Sequence, residues 1–162
     1  MSHHDDAPRR LLFFAAACGG SSSSSTADDL ALSGAQGIGA WVWTIADEGG
    51  THHALADKLK QYGFNRVYVK VANGPNLWPE ASEAAIPAAY HARGIQCYAW
   101  NYRLAGSYPG QAHAIALAQE SGYDGFVLDI ETGFDGSTHA LTSLLQSYAA
   151  ARRAGFPLLA TT

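Results

Sequence analysis

Residues 95–131 read IQCYAWNYRLAGSYPGQAHAIALAQESGYDGFVLDIE. The run Ile95-Gln96-Cys97-Tyr98-Ala99-Trp100 is rich in aromatic and apolar residues and bounded by Gly94 and the polar loop around Pro109-Gly110, which predicts a strand. Ala114, Ile115 and Ala118 then recur at helical spacing, and Gly122 stops the helix. Phe126 to Ile130 is a second short apolar strand. Two such strands joined through a helix form a crossover unit, and crossover units build parallel sheets.

The same rhythm extends in both directions. Upstream, Ile38-Gly39-Ala40-Trp41-Val42-Trp43 predicts a strand, and Thr51 caps a helix carrying Leu55, Leu59 and Tyr62 that ends at Gly63. Arg66-Val67-Tyr68-Val69-Lys70-Val71 is the next strand, broken by Asn73-Gly74-Pro75-Asn76; a helix through Ala85, Ile86, Ala89 and Tyr90 stops at Gly94. Downstream, a helix carrying Leu141, Leu144, Leu145 and Tyr148 ends at Gly155, and Phe156-Pro157-Leu158-Leu159-Ala160 begins a fifth strand.

An α/β fold with a parallel sheet leaves two architectures, an open doubly wound sheet and a (β/α)₈ barrel. A doubly wound nucleotide-binding sheet carries a glycine-rich phosphate loop after its first strand. Here Thr44-Ile45-Ala46-Asp47-Glu48-Gly49-Gly50 occupies that place, acidic and without the fingerprint. Polar and aromatic residues gather instead at the carboxyl ends of the strands: Trp43 and Asp47, Lys70 and Asn73, Trp100, Asn101 and Tyr102, then Asp129 and Glu131. Strand ends that jointly supply a site are the habit of the barrel. Residues 37–162 therefore predict a partial (β/α)₈ barrel, with four βα units plus the start of strand five. A full barrel takes about 250 residues, so the N-terminal half of a longer barrel is expected, with little activity alone.

Asp129 and Glu131 stand two apart at the end of a strand, so they leave the same face with Cα atoms roughly 7 Å apart. Core packing has no use for adjacent ionised groups, which repel and resist burial. General acid chemistry does use such a pair. Trp43, Trp100, Tyr102 and Trp78 are candidate platforms for sugars, whose CH faces lie on flat rings, with Asn101 and Asp47 as polar contacts. Trp41 and Trp43 share one strand face, which is either the mouth of the barrel or the underside of the helices. Lys70 faces either the site or the solvent, solvent being the preferred reading; Asp124 is expected to cap the turn before its strand, and Cys97 to be a packed thiol. His52, His53, His91, His113 and His139 are expected on the surface. No cofactor or metal is expected, for no phosphate loop, nucleophile elbow or metal-spaced cluster is present in the sequence.

The 162 residues are 48% apolar and 15% charged, ample for a core; the net charge of -4 gives no basic face for nucleic acid. The first 36 residues differ from the rest. Arg9-Arg10 precede the apolar run Leu11 to Ala17, then come Cys18, Gly19, Gly20 and Ser21 to Ser25. Residues 1–18 thus read as a secretory signal and residues 19–36 as a Gly/Ser-rich flexible linker. The small residues before Cys18 resemble the lipobox of bacterial lipoproteins, which implies lipidation at Cys18. The only membrane contact expected is that anchor, placing the protein in the cell envelope or outside the cell.

The octapeptide Asp124-Gly-Phe-Val-Leu-Asp-Ile-Glu131 resembles the strand-four signature of the family 18 glycoside hydrolases, the chitinase-like barrels, Asp-x-x-Asp-x-Asp-x-Glu. Asp124, Asp129 and Glu131 match, and Val127 stands where that family has its second Asp. Leu128-Asp129-Ile130-Glu131 is also similar to strand four of the family 25 lysozymes, which use an Asp-x-Glu pair. The resemblance implies a carbohydrate substrate such as peptidoglycan or chitin, with Glu131 as general acid and Asp129 as its orienting partner. A noncatalytic carbohydrate-binding lipoprotein is the alternative.

Overall fold

The computed structural model describes residues 37–48, 50–103, 106–130, 134 and 136–161. The segments expected to be a signal and a linker, Cys18 with them, lie outside the described residues, as does Glu131. The order of elements is β1 (Gly39–Val42), α1 (His52–Gln61), β2 (Arg66–Asn73), β3 (Asn76–Leu77), a 3₁₀ turn (Pro79–Ala81), α2 (Ala85–His91), β4 (Gln96–Tyr102), α3 (Tyr108–Ser121), β5 (Gly125–Asp129), α4 (Thr138–Ala151) and β6 (Leu158–Thr161). The sheet runs β1-β2-β4-β5-β6, parallel throughout, with β3 paired antiparallel to β2. Parallel neighbours follow one another in chain order, with no point at which the order reverses as it does in doubly wound sheets.

Thr51 caps α1 by accepting from the Ala54 N–H at 3.2 Å, as its sequence position predicts. Gly63, Gly94, Gly122 and Gly155, the predicted helix stops, all have positive φ. One departure from expectation concerns Asn73–Asn76. The chain does not simply leave the sheet there but turns back as the short strand β3, and Trp78 N–H donates to the Val71 carbonyl at 2.9 Å. A two-residue strand carries too little periodicity to be seen in sequence.

The two faces of the sheet have different chemistry. Ala40, Val42, Val67, Val69, Val71, Cys97, Ala99, Phe126 and Leu128 share one core with Leu55 and Leu59 of α1, Ile86 and Tyr90 of α2, Ile115 and Ala118 of α3, and Leu144 and Tyr148 of α4. Side chains alternate along a strand, so the intervening residues must point the other way. There Tyr98, Trp100 and Val127 form a second cluster with Trp41, Tyr68 and Tyr102. The register layers this face: Trp41, Tyr68, Tyr98 and Gly125 align across four strands, and Lys70, Trp100, Val127 and Leu159 align above them. Tyr102, Asp129 and Thr161 align at the carboxyl edge.

Two glycines make the lower layer possible. A Cβ on Gly39 would lie 2.7 Å from the Tyr68 ring, and one on Gly125 would lie 2.5 Å from the Tyr98 ring and 3.0 Å from Pro157. The rings occupy the volume that side chains would take. Beyond the helix-covered core, His52 and Tyr90 join α1 to α2, with His52 Nδ1 at 2.9 Å from the Tyr90 hydroxyl. Burial, aided by His53 and opposed by Glu83, holds the His52 pKa below its ordinary 6.5.

Two outcomes are expected. Gly125→Ala should lower the unfolding free energy by about 1–3 kcal/mol in urea titrations, because the added methyl overpacks Tyr98; an unchanged midpoint would contradict the close packing. His52 binds a proton less readily folded than unfolded, so its contribution to stability is present above about pH 6.5 and is lost as pH falls through the lower folded value. Unfolding free energy should therefore decline as the pH drops below that point, with a shallower slope in His52→Phe.

Candidate functional site

The carboxyl ends of β1, β2, β4 and β5 meet on the aromatic face. Trp43 lies one residue beyond the last ladder pair of β1, Val42 with Val69. Its ring centroid is 5.3 Å from that of Trp100, edge-on, and 6.5 Å from that of Tyr102. Trp100 is fixed in turn: its indole N–H donates to the Val42 carbonyl at 3.2 Å, and Trp41 packs edge-on at 5.1 Å. Trp41 stacks on Tyr68 at 4.7 Å. The chain holds four tryptophans. All four gather on this side of the sheet, Trp78 through its position 4.8 Å from the Lys70 ammonium.

Lys70 reverses the sequence expectation. It is 1% exposed, and its Nζ sits 3.1 Å from the Trp43 ring centroid, 5.0 Å from that of Trp100 and 5.7 Å from that of Tyr102. The physical reason is parity. Val67, Val69 and Val71 define the helix-covered face of β2, so Arg66, Tyr68 and Lys70 must point to the opposite one. An electron-rich ring face attracts the ammonium and compensates part of its lost hydration. A register shift between Lys70 and Ala72 follows directly, the kind of irregularity that re-aims side chains beside functional sites.

Of the residues proposed from sequence, Trp43, Trp100 and Tyr102 come together here, with Asp129 at the same edge by register. Trp100 is buried, so it backs the exposed Trp43 and does not offer a platform of its own. Asp129 is half-buried at the end of β5, in register with Tyr102. The Arg103 N–H donates to the Asp129 carbonyl at 2.9 Å and ties the ends of β4 and β5. Trp41 and Trp43 belong to this face and not to the underside of the helices. Asn101 does not. It lies between Trp100 and Tyr102 in β4 and therefore points under the helices, fully buried, donating to the Gly74 carbonyl at 3.0 Å and the Tyr148 hydroxyl at 3.5 Å. Asp47 stands in the exposed turn after β1, where its carboxylate accepts the Thr44 hydroxyl. Asp124 holds the turn before β5, accepting the Cys97 N–H at 2.6 Å, with His91 Nε2 at 2.7 Å.

Beneath the carboxyl edge is a polar network that sequence reasoning did not find. Arg103 is fully buried, donates to Gln111 Oε1 at 2.8 Å and lies 4.4 Å over the Tyr148 ring. Burial pushes its pKa down to about 10, against the opposing pull of Tyr148 and Asp129. Tyr148 donates to the Gln111 carbonyl, and burial raises its own pKa. The network stiffens the strand ends from below while the rings pack above. Burial also raises the Cys97 thiol pKa well above its ordinary value, which keeps it protonated and unreactive.

Among the described residues no group of three or more His, Cys, Asp or Glu side chains is placed to hold a metal ion. No described helix is long and apolar enough to cross a membrane. No protein-family model, curated protein or solved structure matches the chain.

Asn101→Ala should lower stability by roughly 1–3 kcal/mol, since it strands the buried Gly74 carbonyl, and should leave the emission of the tryptophan group unchanged. A shifted emission with unchanged stability would place Asn101 on the wrong side of the sheet.

Proposed function

We propose that the chain forms part of a (β/α)₈ barrel whose aromatic face binds a glycan and whose carboxylates at the end of β5, the fourth strand of the barrel, belong to a glycosidase-type site. The observation that carries the reading is the convergence of Trp43, Trp100, Tyr102 and Asp129 on one face at the carboxyl ends of sequential parallel strands. Flat rings accept sugar CH faces, and a carboxylate at the edge of the same face accepts hydroxyls or stabilises positive charge at an anomeric carbon. The resemblance of Asp124–Glu131 to the chitinase-like and lysozyme-like motifs supplies the roles. Glu131 donates its proton to the glycosidic oxygen as the bond to the anomeric carbon breaks, Asp129 orients the reacting group, and water completes the hydrolysis. A polysaccharide of the cell envelope, peptidoglycan or chitin-like, fits an exported protein anchored at Cys18.

One observation favours the second reading, a carbohydrate-binding lipoprotein without turnover. Val127 is 3% exposed and packs among the rings where the chitinase-like motif has an Asp. The acetamido-assisted route loses its supporting carboxyl there.

The test compares the chain with Glu131→Gln, Asp129→Asn and Trp43→Ala on peptidoglycan and chito-oligosaccharides. Binding is expected in the first three and at least about tenfold weaker in Trp43→Ala, the size of one lost aromatic contact. Reducing ends released by a complete barrel that carries this chain and not by its Glu131→Gln variant support the hydrolase; equal binding without release by both supports the lectin-like reading. Absence of binding to every glycan would overturn both.

A further inference from the structure

Trp43 is the most exposed of the clustered rings, at 39%, and it stands outside the ladder that fixes its neighbours. Trp100 is pinned by a hydrogen bond to the Val42 carbonyl, and Trp41 is stacked within the sheet. Trp43 has no place in the register and takes its orientation from what it touches. The Lys70 ammonium lies 3.1 Å from its centroid, closer than the Trp100 and Tyr102 rings at 5.3 and 6.5 Å, and the same ammonium is farther from Trp78, Trp100 and Tyr102, at 4.8, 5.0 and 5.7 Å. Lys70 itself is held from its base: its Cα is in register with Trp100, and the residue is almost wholly buried. An ordered, buried cation thus underlies an exposed ring.

We propose that Lys70 is a positioning residue, which holds the Trp43 indole in the attitude that makes it a sugar-stacking platform. The inference rests on the glycan-binding reading for its ligand but not for its geometry. The ammonium occupies one side of the ring and is itself closed to solvent, so the ligand meets the remaining surface of Trp43 and not the charge. Lys70 then acts on affinity only through Trp43, and that dependence separates positioning from general support of the fold. A guanidinium stacks on indole as an ammonium does, so arginine should serve in its place. Methionine keeps the length of the stem without the charge, and replacing a buried charge with an apolar group of similar size is often tolerated by the fold.

The experiment uses Lys70→Met, Lys70→Arg, Trp43→Ala and the double variant Lys70→Met/Trp43→Ala, with chito-oligosaccharides and peptidoglycan fragments as probes. Because all four tryptophans lie at this face, intrinsic fluorescence reports on it alone. Lys70→Met should raise acrylamide quenching and weaken glycan binding about tenfold, equivalent to about 1.4 kcal/mol, with Lys70→Arg within about threefold of the parent. The double variant should bind no more weakly than Trp43→Ala. Additive losses in the double variant, or quenching and affinity unchanged in Lys70→Met, would overturn the proposal. Should the unaltered chain bind no glycan, the carbohydrate reading falls, and the quenching of Lys70→Met against Lys70→Arg still decides whether Lys70 holds Trp43.

Discussion

A lysine ammonium enclosed by aromatic rings is the interaction around which the candidate site is arranged. Removing such a group from water costs several kcal/mol, and each ring face returns of the order of 0.5–2 kcal/mol. The indoles of Trp43, Trp78 and Trp100 and the phenol of Tyr102 all approach within 6 Å of Lys70 Nζ. Those rings come from β1, the turn after β3, and β4, so the charge draws three separate segments to one point. A neutral side chain of the same length would pack there without orienting them.

The parallel sheet makes the convergence possible. Its strands run in sequence order, so their carboxyl ends lie along one edge, and alternation sorts their side chains into two sets. One set is mainly aliphatic and lies beneath α1 to α4; the other is mainly aromatic and carries Lys70 and, at its edge, Asp129. Gly39 and Gly125 give up their side chains to make room for Tyr68 and Tyr98, which form the floor on which Trp100 and Lys70 sit. Below the edge, Arg103, Gln111 and Tyr148 hold β4 against α3 and α4. Stability and site geometry are therefore coupled through β4, whose alternate residues serve both faces.

Most of the fold was legible in the residues. The apolar runs, helical spacing and helix-ending glycines place every long element to within a few residues, because local patterning and tertiary burial agree there. The strand β3 escaped notice because two residues hold no period. The placement of Trp43, Trp100, Tyr102 and Asp129 at one edge was readable from their strand-end positions, but Trp100 was misread as an open platform, for it is buried beneath Trp43. Lys70 was misread: charge suggested solvent, whereas Val67, Val69 and Val71 already assigned it to the face opposite the helices. Asn101 was misread by the same neglect, since a residue between two platform aromatics in a strand cannot share their face. The Arg103 network was not legible, for it depends on how α3 and α4 dock. Glu131 lies outside the described residues, and its role rests on the motif alone.

The central claim, that Lys70 lies against the tryptophan rings on the face carrying Asp129, is tested most directly by proton NMR of the Lys70 side chain. Ring currents should move its ε-methylene protons strongly upfield, with nuclear Overhauser contacts to the Trp43 and Trp100 indoles. Lys70 resonances at ordinary solvent-exposed positions, without contacts to either indole, would contradict the account.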